Sequence, residues 1–422
     1  MNYFEQLGLS PKLAARVAEA GLTEPTPIQA KAIPLVLEGR DVMGLAQTGT
    51  GKTAAFGLPL IHLLNQVGTK PAPKTVRGLI LAPTRELAGQ IAAALRGFTA
   101  GSHMKIGVVV GGMSIRAQAE RLARGTDIVI ATPGRLIDLL ERGAVTLDQT
   151  QHLILDEADQ MLDLGFVHAL RKIATLLPKD RQTLLFSATM PKLMAELSES
   201  YLTNPVRVQV SPPGKPVSRI KQGVHFVAQS EKQALLIQYL SGHRNEQALV
   251  FGRTKHGSEK LMKSLVAAGF AAASIHGNKS QGQRDRALAS FRSGEIKVLV
   301  ATDVAARGID IPGVRHVYNY DLPNVPENYV HRIGRTARAG ADGEAVAFCS
   351  PAETGELKAV EKAMGTSIPV VGGRLWDAGE QQNAPKPGKG RNRGRSSKPA
   401  GKPQSKPAGA APRRRRRQNR AA

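Results

Sequence analysis

The stretch Ala46 to Thr53, AQTGTGKT, constrains the fold of this 422-residue chain more than any other. A Gly/Thr turn followed by Gly-Lys-Thr bends a backbone so that it can hold a polyphosphate. Gly49 and Gly51 let consecutive N–H groups converge on phosphate oxygens at the start of the next helix. Lys52 brings a point charge to the β- and γ-phosphates, and the Thr53 hydroxyl joins the shell of a magnesium ion. The implied ligand is a nucleoside triphosphate with Mg²⁺, contacted along the loop by Ala46, Gln47, Thr48, Gly49, Thr50 and Gly51. The generic pattern has Gly where Ala46 stands, so the match rests on Gly51-Lys52-Thr53 and on context. That context is an apolar lead-in predicted as a strand over 42–46 and an outgoing helix over 54–64. A Gly/Thr-rich surface turn is the bland alternative.

A second acidic element tests that reading. Residues 152–155 form a short apolar run consistent with a buried parallel strand, and it ends in Asp156-Glu157-Ala158-Asp159. Carboxylates at the C-terminal end of such a strand stand beside the phosphate loop of a doubly wound sheet. Asp156 is expected to hold Mg²⁺ through its water shell, and Glu157 to orient and polarise the attacking water. An acidic helix start stabilised by the macrodipole is the competing account of an Asp-Glu pair on its own.

Short apolar runs alternate with helical stretches along the chain, the pattern of parallel sheets covered on both faces. Strands are predicted near 42–46, 78–82, 106–110, 127–131, 152–156 and 183–187, then near 223–227, 247–252, 271–275, 296–302, 314–319 and 344–349. The Pro- and Gly-containing segment 211–218 separates the two series and reads as a linker. The expected organisation is α/β: a first domain over 1–210, a second over 219–368, and a disordered basic tail over 369–422. No internal sequence repeat is visible.

Charge is unevenly spread. Of the net +24, fourteen Lys and Arg with no acid lie in 381–422, leaving +10 for the rest. The tail cannot bury enough apolar surface to offset its ordering entropy. Its cations, Arg413 to Arg417 above all, attract phosphates with a strong salt dependence; a merely solubilising tail is the alternative. Cys349, the only cysteine, excludes an intramolecular disulfide and fits a reducing compartment. The start MNYFEQLGLSPK lacks a basic region followed by an apolar core, and no apolar run approaches the roughly 18 residues a membrane span needs. A soluble, cytosolic protein is expected.

Beyond these two elements, the chain carries PTPIQ ending at Gln29, PTRELA at 83–88, Gly111-Gly112, TPGR at 132–135, DEAD at 156–159 and SAT at 187–189. It continues with LVFGRT at 249–254, Gln281 with Arg284, TDVAARGID at 302–310 and HRIGRTAR at 331–338. In this order the motifs resemble those of the DEAD-box ATP-dependent RNA helicases over residues 1 to about 365. The resemblance implies two tandem RecA-like doubly wound domains of common architecture. GRTKHG followed by IHGNKSQGQR looks most like the bacterial RhlE-like group. Ala337 departs from the family, which usually has Gly there.

The Gln29 amide both donates and accepts, so it can match the N6 donor and N7 acceptor of adenine, where guanine presents two acceptors. The resemblance adds Phe4 as a ring stacked on the base; on its own Phe4 reads as a hydrophobic anchor. Arg335 and Arg338 are three apart, on one face if helical, so both could reach one γ-phosphate. An arginine delivered to the transition state is worth ~10³ to 10⁵ in rate. Arg332 and Arg335 could instead be structural, paired with Asp159 or Asp303. Gly308 and Asp310 match the family's nucleotide-contacting positions.

For RNA, Thr84, Arg85, Gly111, Gly112, Thr132, Pro133, Gly134 and Arg135 offer hydroxyls, guanidiniums and helix-start N–H groups in the first domain. The family pattern adds Thr254, Gly277, Arg284 and Thr302. Such contacts hold phosphate and sugar with little sequence information. For Gly111-Gly112 a tight turn is as good an account. Ser187 and Thr189 are expected, by the resemblance, to link nucleotide state to RNA grip through Asp159 or His331. The implied mechanism is local strand separation driven by closure of two lobes, with ribosome assembly or RNA turnover as settings. A translocating DNA helicase and a non-enzymatic RNA chaperone are the competing functions; intact Lys52, Glu157 and Arg335 argue against the second.

Overall fold

Six-residue runs such as VRGLIL (Val76–Leu81) and TDIVIA (Thr126–Ala131) are buried along their whole length, so they fit only in a sheet covered by helices on both faces. In the computed structural model, which describes residues 2–46, 49–210, 219–306, 311, 313–337 and 341–375, such runs build two seven-stranded sheets. The first contains β1 (Val42–Leu45), β2 (Val76–Leu81), β3 (Ile106–Val109), β4 (Thr126–Ala131), β5 (His152–Leu155), β6 (Gln182–Ser187) and β7 (Val206–Gln209). The second contains β8 (Ile220–Phe226), β9 (Gln247–Phe251), β10 (Ala272–Ile275), β11 (Val298–Ala301), β12 (Val314–Asn319), β13 (Gly343–Cys349) and β14 (Val370–Gly372).

All strand pairs are parallel. The orders are β3-β4-β2-β5-β6-β1-β7 and β10-β11-β9-β12-β13-β8-β14. Counted from its own first strand, the second sheet repeats the order of the first. The fold is thus two tandem doubly wound α/β lobes, as the sequence predicts.

Two strands escape the sequence reading, β7 and β14. Each is an edge strand, short and mostly open to solvent, so no continuous apolar run announces it. β14 pairs with β8 and lies past residue 368, the expected end of the second domain. The expected linker 211–218 and the basic tail from 376 onward lie outside the described residues.

Apolar clusters fill both faces of each sheet. Phe56, on the helix Lys52–Gln66 that follows the phosphate loop, meets Phe186 of β6 with ring centroids 5.6 Å apart. Burying a side chain of that size contributes about 1.5–3 kcal/mol and fixes the helix against the sheet. The second lobe also buries a charge network. Lys232 is wholly buried, donates to the Tyr320 carbonyl at 2.7 Å and pairs with Glu353. Glu353 further accepts from Arg253 Nη2 at 3.2 Å and from the Leu322 N–H at 3.1 Å. Removing one partner of such a pair costs about 3–5 kcal/mol because the other charge is left stranded. Among the described residues no helix is long and apolar enough to cross a membrane.

Candidate functional site

The expected nucleotide residues converge at the C-terminal ends of β1 and β5. A cleft of about 300 Å³ is lined by Leu22, Gln29, Gly49, Gly51, Lys52, Thr53, Asp156 and Glu157, among others. The loop between β1 and its helix reverses through Gly49 and Gly51, at φ +85° and +90°. A Cβ on Gly51 would stand 2.4 Å from Gln29 Nε2, so glycine is required both by the backbone and by the neighbour. Ala46 is buried at the end of β1; Gln47 and Thr48 lie outside the described residues. Lys52 Nζ donates to the Ala46 carbonyl at 3.1 Å and lies 3.9 Å from Asp156 Oδ1, so the lysine bridges the loop and the acidic strand end.

Gln29 is tied to this loop. Its Nε2 donates to the Gly51 carbonyl at 3.0 Å, and its Oε1 accepts from the Thr26 N–H at 3.0 Å in a capping box. An amide has two donor hydrogens and two acceptor lone pairs, so one of each is left for a base edge. Phe4 does not share the cleft. It is fully buried in the apolar core, at the start of the short helix Tyr3–Gln6 capped by Asn2. A helix of one turn is held only by what it buries, and the ring is that anchor; base stacking by Phe4 is therefore excluded in this arrangement. The apolar side chain that does line the cleft is Leu22. Its signal was its place seven residues before Gln29, beside Gly21.

Asp156, Glu157 and Asp159 are 2%, 2% and 4% exposed. Burial pushes the Asp156 carboxyl up to about 6 against the pull of Lys52, with Glu157 adding to the rise. The folded chain thus holds that proton more tightly than the unfolded one. Stability from this group is greatest below pH 3.8 and falls as pH rises to about 6. Asp156→Asn is accordingly expected to raise unfolding free energy near neutral pH by about 1–3 kcal/mol, the gain shrinking as the medium is acidified through that window. Urea unfolding at neutral and acid pH reads both; a loss of stability at neutral pH would contradict this account. Glu157 sits at φ +50°, ψ +51° as the residue before the helix Ala158–Asp163, a strained position of the kind that gathers at functional sites.

Asp159 joins the expected coupling residues. Its Oδ2 accepts from Thr189 N and Thr189 Oγ1 at 2.9 and 2.8 Å. Its own N–H donates to Ser187 Oγ at 3.3 Å, and that hydroxyl donates to the Thr189 carbonyl at 2.6 Å. From the second lobe, His331 Nε2 approaches Asp159 Oδ2 to 3.8 Å. Ser187, Thr189 and His331, the residues expected to couple through Asp159, thus all lie within reach of it.

The arginines of HRIGRTAR divide. Arg332 takes the structural part: Nη2 and Nε donate to the two Asp303 oxygens, Nη1 donates to Asn319 and the Asp321 carbonyl, and the guanidinium lies 5.0 Å from the Phe251 ring centre. Arg335 is 3% exposed, donates from Nε to the His331 carbonyl at 3.1 Å, and lines a small cavity with Asp303 and His331 rather than the nucleotide cleft. Arg338, Gly308 and Asp310 lie outside the described residues. Ala337 stands at φ +55°, which costs an L-residue about 1–2 kcal/mol and explains why glycine suits that place.

The residues expected to hold RNA lie at or just beyond the ends of three adjoining strands of each sheet, with Arg284 on the helix Gln281–Arg292. Thr84 follows β2 and Thr254 follows β9, the same place in the two orders. Each caps the next helix, its hydroxyl accepting from the Leu87 N–H at 3.2 Å or the Gly257 N–H at 3.0 Å. Gly111-Gly112 follows β3 as Gly277 follows β10, and Thr132 follows β4 as Thr302 follows β11. Pro133, Gly134 and Arg135 open the helix after Thr132. A cleft of about 330 Å³ joins Thr84, Arg85, Gly111, Thr132, Gly134 and Arg135 to Arg284 and Val304 of the second lobe.

Within that cleft the arginines are not idle. Gly112 is at φ +74°, and a Cβ there would stand 1.9 Å from Arg85 Nη1, so the glycine pair serves a tight turn and the close approach of Arg85. Arg135 Nη1 clamps the turn from both sides, donating to the Val110 and Met113 carbonyls at 3.0 and 2.9 Å. Arg85 Nη1 donates to Gln281 Oε1 at 3.2 Å, and Arg284 pairs with Glu86 at 2.9 Å. Arg284, expected only to grip RNA, is thus also a link between lobes. The cause is Glu86, nearly buried in the first turn of its helix, which sequence reading passed over. A guanidinium has five N–H donors, so these bonds leave others for phosphate.

Residues 26–197 match the family model for the DEAD/DEAH box helicase, and 231–340 that for the helicase conserved C-terminal domain. The ATP-dependent RNA helicase CshA of Listeria monocytogenes is 44% identical over 377 residues, 89% of this chain and 72% of that protein. Among solved structures, S. cerevisiae Dbp5 bound to RNA and ADP BeF3 aligns with TM-score 0.77 at 31% identity, covering 87% of this chain and 96% of that one. Mss116p bound to ssRNA and AMP-PNP aligns with TM-score 0.80 at 29% identity, covering 90% and 80%. The relatives named CshA belong to a different group from the RhlE-like one, so that finer expectation is not supported. Both halves of one motor are matched here, in order and along most of the length: the chain belongs to the DEAD-box family of ATP-dependent RNA helicases.

Proposed function

We propose that this helicase separates RNA strands locally, ATP and RNA each favouring one closed arrangement of the lobes and hydrolysis letting them part. The carrying observation is the position of Asp159: two residues beyond the buried Glu157, bonded to Thr189, and faced by His331 of the other lobe. A change at the nucleotide therefore has a short path to the contact between lobes.

In this reading Gly49 to Gly51 and Lys52 hold the phosphates, and Gln29 turns its remaining donor and acceptor to the adenine edge. Thr53 and Asp156 are hard oxygen donors in the same cleft, a set that suits Mg²⁺; when bound, the ion would neutralise charge on the β- and γ-phosphate oxygens. Glu157 orients the attacking water and takes its proton. Arg335, with Arg338, reaches the γ-phosphate as closure narrows the gap, and the developing negative charge is stabilised there.

RNA lies across the ends of β2, β3 and β4 and of β9, β10 and β11, held by Thr84, Arg85, Gly111, Gly112, Thr132 to Arg135, Thr254, Gly277, Arg284 and Thr302. Backbone contacts of this sort make binding indifferent to sequence. Domain limits of 1–210 and 219–368, with 211–218 as linker and a phosphate-attracting disordered tail, belong to the same proposal, although β14 carries the second lobe to residue 372. So do a cytoplasmic setting and work in ribosome assembly or RNA turnover, which rest on the family resemblance.

Linkage supplies the test. If both ligands select one arrangement, RNA must tighten ATP binding by the same factor by which ATP tightens RNA binding, about 5- to 150-fold. Fluorescent RNA and nucleotide titrations on the full chain measure both factors, with strand release from a short duplex as the activity. Independent binding, or ATP hydrolysis equally fast without RNA, would defeat the proposal.

A further inference from the structure

The nucleotide and RNA residues sit where strands end; a different cluster sits where strands of the second sheet begin. His243 and Glu246 precede β9, His316 lies early in β12 and Glu344 early in β13. The His243 and His316 rings are stacked, centroids 3.6 Å apart and 11° from parallel. His316 Nε2 meets the Glu246 carboxylate, its Nδ1 is 3.5 Å from Glu344 Oε2, and His243 Nε2 is 2.6 Å from the Tyr318 hydroxyl. One donor atom each from His243, Glu246 and His316 can be chosen so that all lie within 4.8 Å of one another. Nδ1 of His243 and Nδ1 of His316 are both shut off from solvent, and neither makes a well-formed hydrogen bond, His316 Nδ1 having only the Glu344 carboxylate at 3.5 Å.

Two stacked imidazoles are a poor arrangement by themselves. Two cations repel at this distance, and with either ring neutral the shut-off Nδ1 of His243 still lacks a well-formed bond, which proteins rarely tolerate without an ion or water. We propose that His243, Glu246 and His316 form a binding site for a divalent late transition metal of the zinc class. Two imidazoles with a carboxylate suit that class, whereas Mg²⁺ and Ca²⁺ take oxygen shells. Bonds to zinc run about 2.0–2.2 Å, so the donors must draw together. Glu246, 45% exposed, has room to swing, and His243 lies outside any helix or strand. Glu344, or water, completes the shell. The site staples the entry of β9 to β12 and takes no part in hydrolysis, since it lies where strands of the second sheet begin, whereas the nucleotide-site residues stand where strands of the first sheet end.

Metal-stripped full-length protein titrated with zinc chloride alone should take up one equivalent at this site and melt at a higher temperature. Glu246→Gln, at a solvent-facing position, and His316→Gln should each weaken uptake by at least about tenfold and abolish the thermal shift. The Mg²⁺-supported ATPase of Glu246→Gln should be unchanged. Uptake equal in the wild type and both variants, or no uptake at all, would overturn the assignment. A variant that fails to fold is set aside by the other, since the two ligands lie on different elements.

Discussion

Glu157→Gln should leave ATP bound while RNA-stimulated hydrolysis falls by roughly 10²- to 10⁴-fold, the range a positioned proton acceptor supplies. Glutamine keeps the length and shape of the side chain, so the strained turn at φ +50° and the start of the helix Ala158–Asp163 are preserved. What is lost is the ability to take a proton from water. Nucleotide affinity, set by the loop and Lys52, should change little. Single-turnover hydrolysis and nucleotide titration separate the two effects. Wild-type turnover in this variant would remove Glu157 from the chemistry, and a protein that merely coats or anneals RNA would show no sensitivity to it.

Arg335→Ala has an expected loss of similar or greater size, about 10³ to 10⁵ in the hydrolysis rate. The side chain does not line the nucleotide cleft, so the defect should appear in turnover and not in ATP affinity. Lysine should rescue poorly, since it lacks the planar fork of donors. Arg332, four bonds deep in Asp303, Asn319 and the Asp321 carbonyl, provides the contrast: its removal should lower the melting temperature first. Full RNA-stimulated activity in Arg335→Ala, with the fold intact, would take Arg335 out of the transition state.

The architecture could be read from the sequence because parallel strands buried on both faces are uninterrupted apolar runs, and each predicted strand overlaps an observed one. Edge strands β7 and β14 lack that signal. The residues that line the candidate nucleotide cleft could be picked out for a related reason: backbone held at positive φ demands glycine, and a carboxylate pair at a strand end is rare, so spacing draws attention to Gly51 and Asp156. Side chains with two possible partners were not legible. Phe4 served the core instead of a base, and Arg284 found Glu86 across the lobes, because burial and pairing depend on what the fold brings near. Finer kinship was read from the motifs GRTKHG and IHGNKSQGQR, whose positions between the shared site residues are free to vary among relatives, and it was there that the RhlE-like expectation lost support.

The shared strand order of the two sheets has a mechanical corollary. Each lobe presents threonine, glycine and threonine at the tips of three adjoining strands, so a polymer laid over both is gauged by the same ruler twice. Two identical rulers set end to end agree on a straight line only when one is a pure translation of the other. Any rotation between them would appear as curvature in whatever they measure together, so on the proposed RNA path a chain built this way would deform a stiff double strand without a separate wedge.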